Sequence, residues 1–273
     1  MGVVYEAEDL RLSRLVALKF LPNELAEDVD AVRRLRREAH TIALLNHPYI
    51  CTVFDVDEQQ GRSFIVMERL EGTSLRSHME RTVADTSEII NIALQISEAL
   101  DAAHAKGVVH RDIKPGNIFI TQVGHVKLLD FGLSRRFRID ETGDTSWDAS
   151  TIVGRPLGTV NYMAPERILQ MPLDPRSDLF SLGVVMYEMA TGRLPFAADS
   201  PSETVTRILE DDPVSLTSLS PHHPAELERL VVRLLKKRPD ERYQSAAELR
   251  DLLFRSRRRR RNAFGRLWRG SSE

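Results

Sequence analysis

The spacing of apolar residues changes character partway along the chain. Residues 3–7 and 15–21 (Leu15-Val16-Ala17-Leu18-Lys19-Phe20-Leu21) are short apolar runs on either side of a polar turn at 8–13, which predicts two strands. Over 28–46 the apolar positions Val32, Leu35, Ala39, Ile42 and Leu45 recur every three or four residues, the mark of an amphipathic helix, and Pro48 stops it. Runs at 50–57 and 63–70, split by Gln59-Gln60-Gly61, predict a hairpin. Beyond Gly72 helices dominate, at 75–81, 87–106, 177–191, 202–210, 225–235 and 245–253, with short strands at 118–121 and 126–129. Gly107 sits where a helix C-terminus favours glycine. Residues 133–160 are polar and without period, and a stretch that long inside a compact unit is usually functional or mobile. There is no internal repeat. The expected architecture is α+β, in two lobes: 1–70, a small antiparallel sheet with one main helix, and 71–254, larger and mostly helical. The folded part is expected to end near Phe254, with an Arg-rich tail over 255–273.

Composition narrows the class. Of 273 residues 42% are hydrophobic and 29% charged, which suits a core-forming globular protein and excludes a disordered chain. A single cysteine, Cys51, forms no internal disulfide and no Cys-based zinc cluster, so a reducing, cytoplasmic setting is expected. No apolar run reaches membrane-spanning length, and the first residues lack the pattern of a signal peptide. The net charge of −2 hides an asymmetry: from Arg255 onward eight arginines face one acid, a charge of +7, which leaves −9 on the rest.

The chemistry lies in four short motifs. His110-Arg111-Asp112-Ile113-Lys114-Pro115-Gly116-Asn117 is the strongest; Asp130-Phe131-Gly132 follows eighteen residues after Asp112, and Ala164-Pro165-Glu166 comes later. Upstream lies Val16-Ala17-Leu18-Lys19 on a predicted strand. In this order and spacing the chain resembles the eukaryotic-type protein kinases, and more closely the bacterial serine/threonine kinases, over about residues 1–254.

The resemblance implies a two-lobed kinase fold and transfer of the γ-phosphoryl group of ATP to protein serine or threonine, with Mg2+ (Mn2+ as a substitute). It implies that Asp112 accepts the substrate hydroxyl proton, that Lys114 stabilises the moving phosphoryl group, and that Lys19 holds the α- and β-phosphates with a helix glutamate as its partner. Glu38 is the best candidate for that partner, with Glu27 nearby. Asn117 and Asp130 offer the few hard oxygens that such a metal prefers. Phe64–Leu70 looks like the family's hinge: Met67 gates the rear of the pocket, the backbone of Glu68 and Leu70 bonds adenine, and Ala17 and Phe119 sandwich the ring. His110 is expected to be a packing residue. Glu166 is expected to pair with Arg242, Asp178 to hold the catalytic-loop backbone, and His222-His223 to lie in a solvated loop.

One part of the pattern departs from the family. Of the phosphate-covering G-x-G-x-x-G-x-V loop only Gly2 and Val4 are present, so the match reads as truncated within that loop. This keeps open a catalytically weak, kinase-fold binding module; intact Lys19, Asp112, Asn117 and Asp130 argue for the enzyme. A small-molecule kinase is the further rival, disfavoured by Ala164-Pro165-Glu166. Lys114 two residues after Asp112, together with Gly158-Thr159, goes with serine/threonine selectivity in this family. Regulation is expected through phosphorylation of Thr151, or of Ser150, Thr145 or Thr142, with Arg111 as the phosphate's partner. The tail, with Phe264, Leu267 and Trp268 among its arginines, is expected to meet an anionic surface at the inner face of a membrane.

Overall fold

A computed structural model describes residues 3–20, 42–60, 62–131, 160–172 and 174–269, with side chains as far as Arg258. Gly2, Glu38, Gly132, Gly158, Thr159 and the four candidate phosphorylation sites lie outside the described residues, as does most of the expected 28–46 helix.

The first sheet holds β1 (Val4–Asp9), β2 (Arg14–Phe20), β3 (Val53–Gln59) and β4 (Arg62–Glu68) in the order β1-β2-β4-β3, all antiparallel. Alternation sets its two faces: Val53 and Ile65 turn inward and join Ile42 and Leu45, the last apolar positions of the predicted helix, while Val16 is buried on the opposite face. Asp9 closes the first turn by accepting from the backbone N–H groups of Arg11 and Leu12.

The chain then passes Gly72, whose φ of +149° and approach to Ile120 leave no room for a Cβ, which would lie 2.0 Å from the Ile120 carbonyl oxygen. There it enters β5 (Gly72–Ser74), which pairs with β6 (Ile118–Thr121) and β7 (Val126–Leu128) in a second sheet. Two bonds stitch the sheets together at Tyr49–Cys51: Leu128 N–H donates to Tyr49 O and Cys51 N–H to Leu128 O, each at 2.9 Å.

The helical body begins with α1 (Leu75–Met79) and α2 (Thr86–His104); Asp85 caps the latter by accepting from Glu88 N. It continues with α3 (Pro165–Ile168), α4 (Arg176–Thr191), α5 (Pro201–Glu210), α6 (Leu216–Leu219), α7 (Ala225–Leu234) and α8 (Ala246–Arg269). Helix α4 is buried along almost all its length, which is why its sequence shows little amphipathic period; Gly192 ends it in the left-handed region. Around it pack α2, α6 and α7.

Two local readings change. Helix α8 runs without a break to Arg269 instead of ending near Phe254, since arginine is a good helix former and nothing in 254–264 interrupts it. His223 is buried, 3% exposed, with its Nδ1 2.7 Å from Thr86 Oγ1, because the loop before α7 packs on the start of α2; His222 remains exposed. Among the described residues no helix is long and apolar enough to cross a membrane.

Candidate active site

The segment between α2 and β6 carries Asp112, Lys114 and Asn117, and the structure holds it from below. Asp178, in the first turn of α4 and wholly buried, accepts from the backbone N–H groups of His110 and Arg111, both at 2.8 Å, while His104 Nε2 lies 2.9 Å from it. Burial pushes the Asp178 carboxyl up, but the hydrogen bonds it makes with His104 and with the backbone N–H of Arg111 prevail and hold it below the usual aspartate range. This anchoring sustains a left-handed backbone at Arg111 (φ 69°), a conformation costly to any residue with a Cβ. His110 behaves as a packing residue: fully buried, it puts Nε2 2.9 Å from Leu129 O and rests on Phe131 at 4.4 Å between ring centres. Burial pushes its pKa down, which keeps it neutral.

On this platform Asp112 points one oxygen, Oδ2, at two donors, Lys114 Nζ at 2.7 Å and Asn117 Nδ2 at 2.8 Å. Asn117 Nδ2 also donates to Asp112 O at 2.9 Å, so the amide is oriented with its nitrogen toward Asp112 and its oxygen away. Leu129 N–H donates to Asn117 O at 2.9 Å, which sets the residue before Asp130 beside Asn117. Asp130 is itself left-handed (φ 60°), and its Oδ2 forms an ion pair with Lys19 Nζ of β2. Lys19 therefore meets Asp130, a residue of the other sheet's outgoing segment. One carboxylate and one amide oxygen on adjoining segments suit a small hard cation that keeps water and phosphate oxygens as its remaining ligands.

Behind Lys19 lies a small pocket lined by Lys19, Cys51, Val53, Ile65, Met67, Asp130 and Phe131 among others. Met67 is thus one of the residues that line the space behind Lys19. Cys51 is buried there with its thiol pushed up to about 12, chiefly by burial and then by the Glu68 charge, so it stays protonated. Ala17 pairs with Met67 across β2 and β4, Glu68 ends β4 with Leu70 just beyond, and Phe119 lies half-buried on β6. Val4 is about half exposed on β1.

Comparison with known proteins agrees with this geometry. The model of the protein kinase domain matches residues 1–254. The chain is 39% identical over 261 residues to the serine/threonine-protein kinase PknB of Mycolicibacterium smegmatis, covering 93% of this chain and 41% of that protein. It is 36% identical over 253 residues to a probable serine/threonine-protein kinase of Clostridium acetobutylicum, covering 92% of this chain and 37% of that one. The chain belongs to the protein kinase family. It spans about two fifths of the length of the curated relatives it matches. Among solved structures, the PknI kinase domain of Mycobacterium tuberculosis is similar with a TM-score of 0.73 at 28% identity, covering 93% of this chain and 89% of that one.

In this kinase domain the triplet 164–166 is tied down from two sides. Glu166 and Arg242, 3% and 0% exposed, pair bidentately at 2.8 and 2.7 Å, and Ser177 Oγ donates to Glu166 at 2.6 Å. Burial pushes the Glu166 carboxyl up, yet the hydrogen bonds and charge of Arg242 bring it below the usual range. A second network was not legible in the sequence: Tyr162 O–H donates to Glu188 Oε2 of α4 at 2.5 Å, and Arg76 of α1 reaches Glu188 Oε1 at 2.7 Å and the Tyr162 hydroxyl. Arg167 donates to the carbonyl of Arg111, so the kinase motif's backbone is held from this side too. The partners in these contacts lie 26 to 112 residues apart, which leaves no local spacing to read.

Proposed function

We propose that the domain is a serine/threonine protein kinase that moves the γ-phosphoryl group of ATP to a protein hydroxyl. The observation that carries this reading is the convergence of Lys19 of β2, of Asp112, Lys114 and Asn117 from the segment before β6, and of Asp130 just past β7, on one cleft. In it Asp112, kept oriented by Lys114 and Asn117, accepts the proton of the substrate hydroxyl as that oxygen attacks phosphorus. Lys114 neutralises charge on the moving phosphoryl group, and Lys19 turns from Asp130 to the α- and β-phosphates when nucleotide enters. Asn117 and Asp130 would hold Mg2+, which would supply neutralisation of the polyphosphate charge. Met67, Glu68, Leu70, Ala17 and Phe119 form the nucleobase slot, with Gly2, Val4 and Glu38 as the remaining expected contacts.

Two finer readings belong with it. Arg111 has its Nε buried without a hydrogen-bond partner among the described residues, which supports its readiness for a phosphate on the 133–160 segment, with Thr151 favoured. The unbroken α8 extends the Arg-rich tail as a helix, a form suited to an anionic membrane face. Mass spectrometry of active protein tests the first, where absence of phosphate throughout 133–160 refutes it. Sedimentation with anionic vesicles, with and without 255–273, tests the second, where equal binding refutes it. The central test is Asp112→Asn: phosphotransfer is expected to fall by at least about 10²–10⁴-fold in a folded protein. Product hydrolysis is expected to yield phosphoserine and phosphothreonine, and near-normal turnover by the variant or mainly phosphotyrosine overturns the reading.

A further inference from the structure

The hinge carries a contact that the reaction chemistry does not use. Glu68 closes β4, and its carboxylate turns away from the base slot. Oε2 accepts from Lys127 Nζ at 2.8 Å and from Thr52 N–H at 3.2 Å. Lys127 belongs to β7, in the other sheet, and its amine also lies 3.4 Å from Ile50 O. The ion pair thus spans from the hinge strand to the sheet below the cleft. Lys127 stands directly opposite Phe119 in the antiparallel register of β6 and β7, and directly opposed residues share a face. Its stem therefore flanks the residue expected under the base. With side chains 14% and 29% exposed, the pair is shielded enough to outlast the screening that weakens surface pairs.

We propose that Glu68 and Lys127 form a strap across the cleft that fixes the hinge over the nucleobase slot, which makes Lys127 a positioning residue for nucleotide binding; this rests on the kinase reading above. The strap complements a backbone frame that does not depend on it. Glu68 N–H donates to Thr52 O and Cys51 N–H to Leu128 O, both at 2.9 Å, so the sheets stay joined when the side chains are changed. What the ion pair adds is a fixed distance and rotation for Glu68, whose carbonyl faces the nucleotide edge in this family's hinge. The Cys51 thiol approaches that same carbonyl, with Sγ 3.8 Å from Glu68 O, and is 6% exposed. As the chain's single cysteine, it reports directly on whether the hinge has parted from the frame behind it.

The experiment compares wild type with Lys127→Met, Glu68→Gln and the double variant, using Kd for a non-hydrolysable ATP analogue, steady-state kinetics, and the labelling rate of Cys51 by a disulfide-exchange reagent. Each single variant is expected to weaken analogue binding about tenfold, as loss of a hydrogen bond between charged groups does. KM for ATP is expected to rise in step while kcat moves far less, and the double variant to be no worse than the weaker single one. Thiol labelling is expected to accelerate in all three. Unchanged Kd, additive losses, or a fall in kcat with constant KM overturns the strap. A wild-type protein that binds no ATP would refute the kinase reading instead, and the strap would then stand or fall on thiol labelling alone: faster labelling in Lys127→Met supports it and an unchanged rate overturns it.

Discussion

Replacing Glu166 by glutamine removes one charge from a pair that has no solvent to fall back on. Arg242 is 0% exposed, and all five of its N–H groups are committed: two to the Glu166 oxygens at 2.8 and 2.7 Å, and three to the carbonyls of Lys236, Lys237 and Arg176 at 2.8–3.1 Å. Glutamine keeps one acceptor but presents its amide N–H2, a donor, to the other fork nitrogen, and it leaves a buried guanidinium without a counter-charge. Removing one partner of a buried pair costs about 3–5 kcal/mol, because the remaining charge stays desolvated. For a chain of this size each kcal/mol moves the melting temperature by about 2–4 °C, so a fall of about 10 °C is expected. The assay is urea unfolding followed by circular dichroism, with thermal melting as a check. A second variant, Glu166→Gln with Arg242→Met, removes the orphaned cation and leaves only carbonyls to rehydrate. It is expected to lose less than the two single changes together, with a coupling of about 1–3 kcal/mol. A Glu166→Gln loss below about 1 kcal/mol, or strict additivity, would refute the reasoning, since it would mean that the pair is solvated or already separated.

Acid is expected to weaken the fold in a defined order. His110, Glu166 and Asp178 all have pKa values held below their ordinary 6.5, 4.5 and 3.8, so the unfolded chain takes up protons first and stability drops as pH falls, beginning below about 6.5 and steepening below about 4.5. Urea midpoints at pH 7.5, 5.5 and 4 check this, and a midpoint that rises on acidification contradicts it. Gly72→Ala is expected to destabilise by several kcal/mol, beyond the usual range for a surface site, because its Cβ would lie 2.0 Å from Ile120 O at a φ of +149°; a melting temperature within a degree of wild type would contradict that. Asp178→Ala is expected to free the backbone of His110 and Arg111 and to cut phosphotransfer more steeply than it cuts stability, measured as kcat against the urea midpoint, with unchanged kcat the contrary result.

Much of the architecture was already written in short-range pattern. The apolar runs of 15–21 and 63–70 and the three-to-four spacing in 87–106 require only local geometry, and the strands and helix appear within a few residues of the expected bounds. The catalytic-loop run was equally legible, because Asp112, Lys114 and Asn117 lie within six residues and the loop must bring them together. Helix α4 was found with almost no amphipathic signal, since its length of buried apolar residues reads as a helix only through its composition.

Contacts made across the chain left no such trace in local pattern; Glu166–Arg242 and the hold of Asp178 on the loop backbone were expected only through the family resemblance. The pairing of Lys19 with Asp130 spans 111 residues, and that of Arg76 with Glu188 spans 112. Nothing in the charged residues of either segment selects the partner, because a lysine or arginine has many acids within reach of composition and few within reach of space. His223 is the clearest case: two adjacent histidines between prolines suggest a solvated loop, yet one is buried on Thr86 and the other exposed. The difference is decided by how the start of α2 packs against the loop before α7. The amino-acid pattern determined the elements, the reactive groups and the family, because these follow from periodicity and spacing along one chain. Packing decided which charges pair, which carboxylates lose water and how the hinge is fastened, because burial and orientation are properties of neighbours that only the folded chain brings together.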